Sequence, residues 1–196
     1  MKRLIVCVVV AVAITLALTA NALTANNPHF KLDSIASTFA GKPVTVHCEM
    51  DSEAWDAMVQ QASLGQRRGS SVGGFAYPGT TRLYLSPQNC GALLRTFQDG
   101  YIHAGLRPLA DGLMTLLHEA EHLRGTVDEG ETDCAALRAF RGYLDDVGVP
   151  ATVVKPVKVA GRFIVKRVVN PYFTRLVQLA GIIHATRPTP DYRRAC

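Results

Sequence analysis

The sequence predicts an α+β fold built as one domain. Three observations lead there. The run Pro43-Val-Thr-Val-His-Cys48 alternates with β-branched residues and reads as a strand. Two further short strands, Phe75 to Tyr77 and Thr81 to Leu85, flank a Pro78-Gly79 turn. The stretches between and after them carry apolar residues at helical spacing, with no internal repeat and no long linker.

Taken in order, the chain opens with Lys2 and Arg3 ahead of an apolar run, Leu4 to Leu18, and a small-x-small site at Ala20-Asn21-Ala22. This is the layout of a secretory signal peptide over residues 1–22, cleaved after Ala22. The run is short for a stable membrane span, so cleavage is expected over a retained anchor, the alternative. Residues 23–196 then form the single domain, with a core at about 43–148 and a basic extension at 151–196. Asn26 to Lys42 is polar and without clear period, and is expected to be a loosely held arm. Asp51 or Ser52 caps a helix that buries Ala54, Trp55, Met58 and Val59. Gln66 to Gly74 is a Gly/Ser/Arg loop. Ser86-Pro87 starts a helix that continues to about His103. Asp111 caps the next, which runs to Arg124 and stops at Gly125; its back face holds Leu113, Leu116, Leu117, Ala120 and Leu123. Asp128 caps another, with Glu131 as its capping-box partner, burying Cys134, Leu137, Phe140 and Leu144. Beyond Pro150 the chain reads as helical, punctuated by Pro156, Gly161 and Pro171.

Four cysteines follow the leader, an even number in an exported chain. Of the three possible pairings, Cys48–Cys90 and Cys134–Cys196 are favoured because each ties neighbouring parts of the chain. No C-x-x-C spacing supports a zinc cluster. The net charge of +5 is unevenly spread: residues 151–196 hold nine Lys/Arg against Asp191 alone, and residues 23–150 hold ten against fifteen acids. Export argues against a nucleic-acid partner. The basic segment is expected to pack on the acidic part, with contact to an anionic cell envelope as the alternative.

The stretch His118-Glu119-Ala120-Glu121-His122 spells H-E-x-x-H. Residues four apart share a helix face, so both imidazoles can grip one metal ion. Glu119, about 100° around the helix from His118, is placed as a general base. Two His ligands need a third donor nearby, and Glu129 is placed where it could complete the site. Asp133 shares the face of Glu129 and is expected to fix the orientation of a ligand His by a hydrogen bond.

His118-Glu119-x-x-His122 followed by Glu129-x-x-Thr132-Asp133 resembles the gluzincin branch of the H-E-x-x-H zinc metallopeptidases, the zincins. The resemblance spans residues 43–140. It implies a small zincin-like core, a short three-stranded sheet beside the active-site helix; the basic C-terminal part, read as helical, lies outside it. It implies one zinc per chain held by His118, His122 and Glu129, with Glu119 as catalytic base. Peptide or protein substrate would lie along an edge strand, with the loop at 65–74 and the strand at 81–85 as cleft walls. A second oxyanion donor is usual, and His184 and Tyr172 are candidates. Glu121 and Arg124 depart from the stricter pattern, and the gap from His122 to Glu129 is short. Asp128, at a metzincin-like spacing but without a downstream Met-turn, and Glu131 stay open as third ligands. The expectation is a secreted, monomeric zinc metallopeptidase. The competing expectation is an exported, non-catalytic metal-binding or envelope-interaction protein on the same scaffold.

Overall fold

A computed structural model describes residues 27–62, 72–77, 79–160, 162–187 and 196. The leader expected at residues 1–22 lies outside these, as does most of the loop at 65–74. No helix among the described residues is long and apolar enough to cross a membrane. The fold is α+β, with one three-stranded and one two-stranded sheet.

The first described element corrects the expectation of a loose arm. Pro28–Ala40 is a helix, α1. The Asn27 side chain accepts from the His29 amide, Pro28 takes the first turn where its missing N–H costs nothing, and Gly41 closes the helix in the left-handed region. Leu32, Ile35, Ala36 and Ala40 form its buried stripe. Two of its polar residues anchor the sheet: Ser37 Oγ accepts from Val44 N at 2.8 Å, and Asp33 Oδ1 from Val46 N at 2.7 Å.

Strand β1 (Thr45–Cys48) pairs in parallel with β3 (Arg82–Leu85), and β2 (Gly74–Ala76) runs antiparallel on the other side of β3. The order β1-β3-β2 leaves β2 at an edge. Between β1 and β2, helix α2 (Ser52–Ala62) buries Trp55 and Val59. Helix α3 (Pro87–Asp99) follows β3, capped by Ser86, and a Cys48–Cys90 disulfide ties it to β1. It ends earlier than predicted, because Gly100 at φ 84° turns the chain into the single turn α4 (Tyr101–Ala104).

Helix α5 (Leu106–Arg124) is the axis of the molecule and packs against α1, α3 and β2. Asp111 does not cap it: the helix starts five residues earlier, with Pro108 tolerated in its first turn, and Asp111 pairs with Arg107 at 3.4 Å. Its burial extends beyond the predicted face, to Leu109, Ala110, Met114 and even Glu119 and Glu121. Each fully buried Leu contributes roughly 1.5–3 kcal/mol. Helix α6 (Glu129–Tyr143) is capped by Asp128, as its sequence indicates.

The C-terminal part is not helical throughout. Thr152–Val159 and Arg162–Val169 are strands β4 and β5 of an antiparallel hairpin, and a helix resumes only at α7 (Pro171–Ala185). The physical reason is composition: Val, Ile, Thr and Phe fill these segments, and their branched or aromatic side chains fit a pleated ribbon better than a helix turn. Helix α7 packs on α5 and α6 through Leu176, Leu179, Ala180 and Ile183, and Cys134–Cys196 closes the far end.

Candidate metal centre

Helix α5 presents His118 and His122 one turn apart on one face, and the turn at Gly125 brings the start of α6 alongside. His118, His122 and Glu129 each offer one ligand atom, all within 4.8 Å of one another. His118 Nε2 lies 3.1 Å from His122 Nε2 and 3.0 Å from Glu129 Oε2, which is 3.5 Å from His122 Nε2.

The outward-turned nitrogens decide the chemistry of the inward ones. His118 Nδ1 donates to Asp133 Oδ1 at 3.2 Å, and His122 Nδ1 donates to the Thr126 carbonyl at 2.8 Å. Both acceptors lack a proton to give, so each ring carries its hydrogen on Nδ1 and turns the Nε2 lone pair inward. Two facing lone pairs beside a carboxylate call for a cation between them, a proton or a metal. The donor set of two imidazoles and one carboxylate fits a divalent ion that keeps an open position.

Without a metal, the cation is a proton. Burial works against a charged His118, but hydrogen bonds to Asp133 and Glu129 and the charge of Glu119 outweigh it and raise its pKa to about 9. His122 is likewise raised, burial being overcome by Glu129 and the Thr126 carbonyl. Glu119 is buried beside them, and its pKa is raised by burial, with His118 and His122 offsetting part of the effect. Asp133 is fully buried, yet its pKa falls to about 2, because His118, Arg187 and His184 together overcome the cost of burial.

Asp133 is a hub. Besides His118, it accepts from His184 Nδ1 at 2.6 Å and from Arg187 Nη2 at 3.2 Å, both delivered by the end of α7. Neither role is readable from local spacing. His184 is therefore committed to Asp133 and to the Cys134–Cys196 bridge, whose Cys196 Sγ lies 3.3 Å from its Nε2, and not to an oxyanion. Cys134, His184 and Cys196 form a second close group. Bonded to each other, the sulfurs carry no thiolate to bind a metal. Tyr172 sets its ring edge-on against Tyr101.

The other expected residues fall as follows. Asp128 spends its carboxylate on the Glu131 amide, and Glu131 is exposed. Glu121 is buried: it accepts from Thr126 Oγ1 at 2.7 Å and pairs with Arg124 at 3.2 Å. It thereby holds the turn whose carbonyl orients His122. At the edge strand, Gly74 lies so close to α5 that a Cβ there would meet Thr115 Cγ2 at 2.8 Å and Glu119 Cγ at 3.1 Å. A pocket of about 420 Å³ opens alongside, lined by Trp55, Gly73, Asn89, Asp111, Thr115 and Arg187 among others.

The fold and this centre define a small α+β protein with a three-donor cradle that could hold a metal ion. Its two disulfides are those of a chain matured in an oxidising compartment. No protein-family model, curated protein or solved structure matches the chain.

Proposed function

We propose that this protein is a secreted zinc metallopeptidase of gluzincin-like type, with Glu119 as its general base. The observation that carries the reading is the convergence of His118, His122 and Glu129 within 4.8 Å, beside a buried Glu119. His118, His122 and Glu129 would hold one zinc ion. Such an ion supplies a Lewis acid for a carbonyl and acidifies water near neutral pH. The chain's own residues do the rest. Asp133 and the Thr126 carbonyl keep both imidazoles aimed inward. Glu119, its proton affinity increased by burial, takes a proton from water and returns it to the leaving amine. Edge strand β2 supports an extended peptide by strand addition, since Gly74 brings its backbone against Glu119. The adjoining pocket receives a substrate side chain. The step from zinc site to peptide hydrolysis rests on likeness of the motif.

Elemental analysis of the purified protein, paired with a peptide-library cleavage assay, tests the proposal. About one zinc per chain is expected, lost in Glu129→Ala and retained in Glu119→Gln, with cleavage abolished in both. Zinc without cleavage in the wild type would leave a binding protein, and a wild type without zinc removes the peptidase reading altogether.

A further inference from the structure

The β4–β5 hairpin is at odds with the rest of the fold. None of its sixteen residues is buried, although it is rich in valine. Its base is fixed: Asn170 N donates to the Ala151 carbonyl at 3.0 Å, and Asn170 Nδ2 to the Pro150 carbonyl at 2.9 Å. Cross-strand pairing assigns the side chains to faces. Val154 faces Arg167, Pro156 faces Val165, and Lys158 faces Phe163 on one side of the ribbon. That side is the more exposed one: Phe163 is 74% and Val165 75% accessible, and Val154 and Val169 are exposed beside them. A water-facing ribbon of this kind normally carries polar residues on its outer face.

The charges point to the occupant. The two strands carry five Lys/Arg and no Asp or Glu. On that same side, Lys158 stands across from Phe163 and Arg167 across from Val154, so cations rim the apolar patch. An anionic surface against this face pairs with Lys158 and Arg167, and a surface that is also apolar beneath its charges takes Phe163 and Val165. We infer that the β4–β5 hairpin is a membrane-docking element that seats Val154, Phe163 and Val165 at the headgroup boundary of a bilayer rich in anionic lipid. The long Lys and Arg stems lie along the apolar layer and set their charges among the phosphates. The docking is independent of the metal centre and serves to hold the protein at a membrane surface after export.

Co-sedimentation of the exported protein with vesicles tests this, using phosphatidylglycerol–phosphatidylcholine mixtures against phosphatidylcholine alone. Wild type is expected to bind only the anionic vesicles, and less tightly as salt rises. Lys158→Gln/Arg167→Gln should weaken binding by roughly 25-fold, at about fivefold per cation. Phe163→Ser/Val165→Thr, which keeps every charge, should weaken it about tenfold or more. Unchanged circular dichroism and metal content show that the variants keep their fold. Several outcomes would overturn the inference: equal binding to both vesicle types, binding indifferent to the hairpin substitutions, or loss with Lys158 and Arg167 but not with Phe163 and Val165. The last would mark a soluble polyanion as the partner. A dimer abolished by Phe163→Ser/Val165→Thr, with no vesicle binding, would assign the face to a second copy of the chain.

Discussion

His118 is the residue on which the centre's electrostatics turn. Its pKa of about 9 in the folded, metal-free chain stands above the ordinary 6.5. A raised folded pKa contributes stability that is fully present below about pH 6.5 and is lost as pH rises through about 9. The metal-free protein should therefore lose thermal stability between pH 6.5 and 9.5, on the order of 3 kcal/mol in all. A metal ion held by His118, His122 and Glu129 would replace that proton, so a loaded protein should hold its midpoint over the same window. Thermal scans with and without a chelator read the difference, and a flat metal-free profile would show that the cradle of His118, His122 and Glu129 carries no such proton. The two His and Glu119 were legible in the sequence because a helix alone puts residues four apart on one face. Glu129 and Asp133 followed because one short turn separates their helix from the first. His184 and Arg187 were not legible: they reach Asp133 from 51 and 54 residues away, and only tertiary packing brings them there.

At the scale of elements, the contact between β2 and α5 is what would give the proposed peptidase its substrate side. Gly74 permits it, since any Cβ there would press at 2.8 Å on Thr115 Cγ2 and at 2.9 Å on the Tyr84 carbonyl. Gly74→Ala should push β2 away from the helix and cost about 1–3 kcal/mol. Because His118, His122 and Glu129 lie on α5 and α6, the variant should keep its metal while kcat/KM for peptide cleavage drops tenfold or more. Loss of metal together with activity would mean that the strand supports the ligands themselves, against the division drawn here. The core strands were readable because β1 and β3 alternate and Gly79 marks the turn between β2 and β3. Two elements were not. Helix α1 carries its signals at the ends, Asn27-Pro28 and Gly41, while its middle dilutes the apolar stripe with Phe30, Lys31 and Thr38, so no period stands out. In the sequence around β4 and β5, Pro156 and Gly161 read as helix punctuation, whereas the β-branched content of the two strands was the better guide. The mistake has a physical root: an exposed ribbon buries neither face, so it lacks the alternation by which strands are usually read.

The whole molecule is closed by two disulfides of similar expected strength but different consequence. Cys48–Cys90 spans 42 residues and Cys134–Cys196 spans 62, so the chain-entropy account assigns each roughly 4 kcal/mol. Cys48–Cys90 joins β1 to α3, elements that carry no metal donor. Cys134 directly follows Asp133, and Cys196 lies against His184, so the second bridge clasps the end of α7 to the hub behind His118. Replacing either pair by serine should cost about the same stability in denaturant unfolding. Only Cys134→Ser/Cys196→Ser should also loosen the metal, by about 10–100-fold, because the aim of His118 depends on an Asp133 that His184 and Arg187 hold in place. Competition with a chromophoric chelator measures that affinity. Equal metal affinity in the two disulfide variants would mean that α7 stabilises the fold without tuning the centre, and that Asp133 is held by α6 alone.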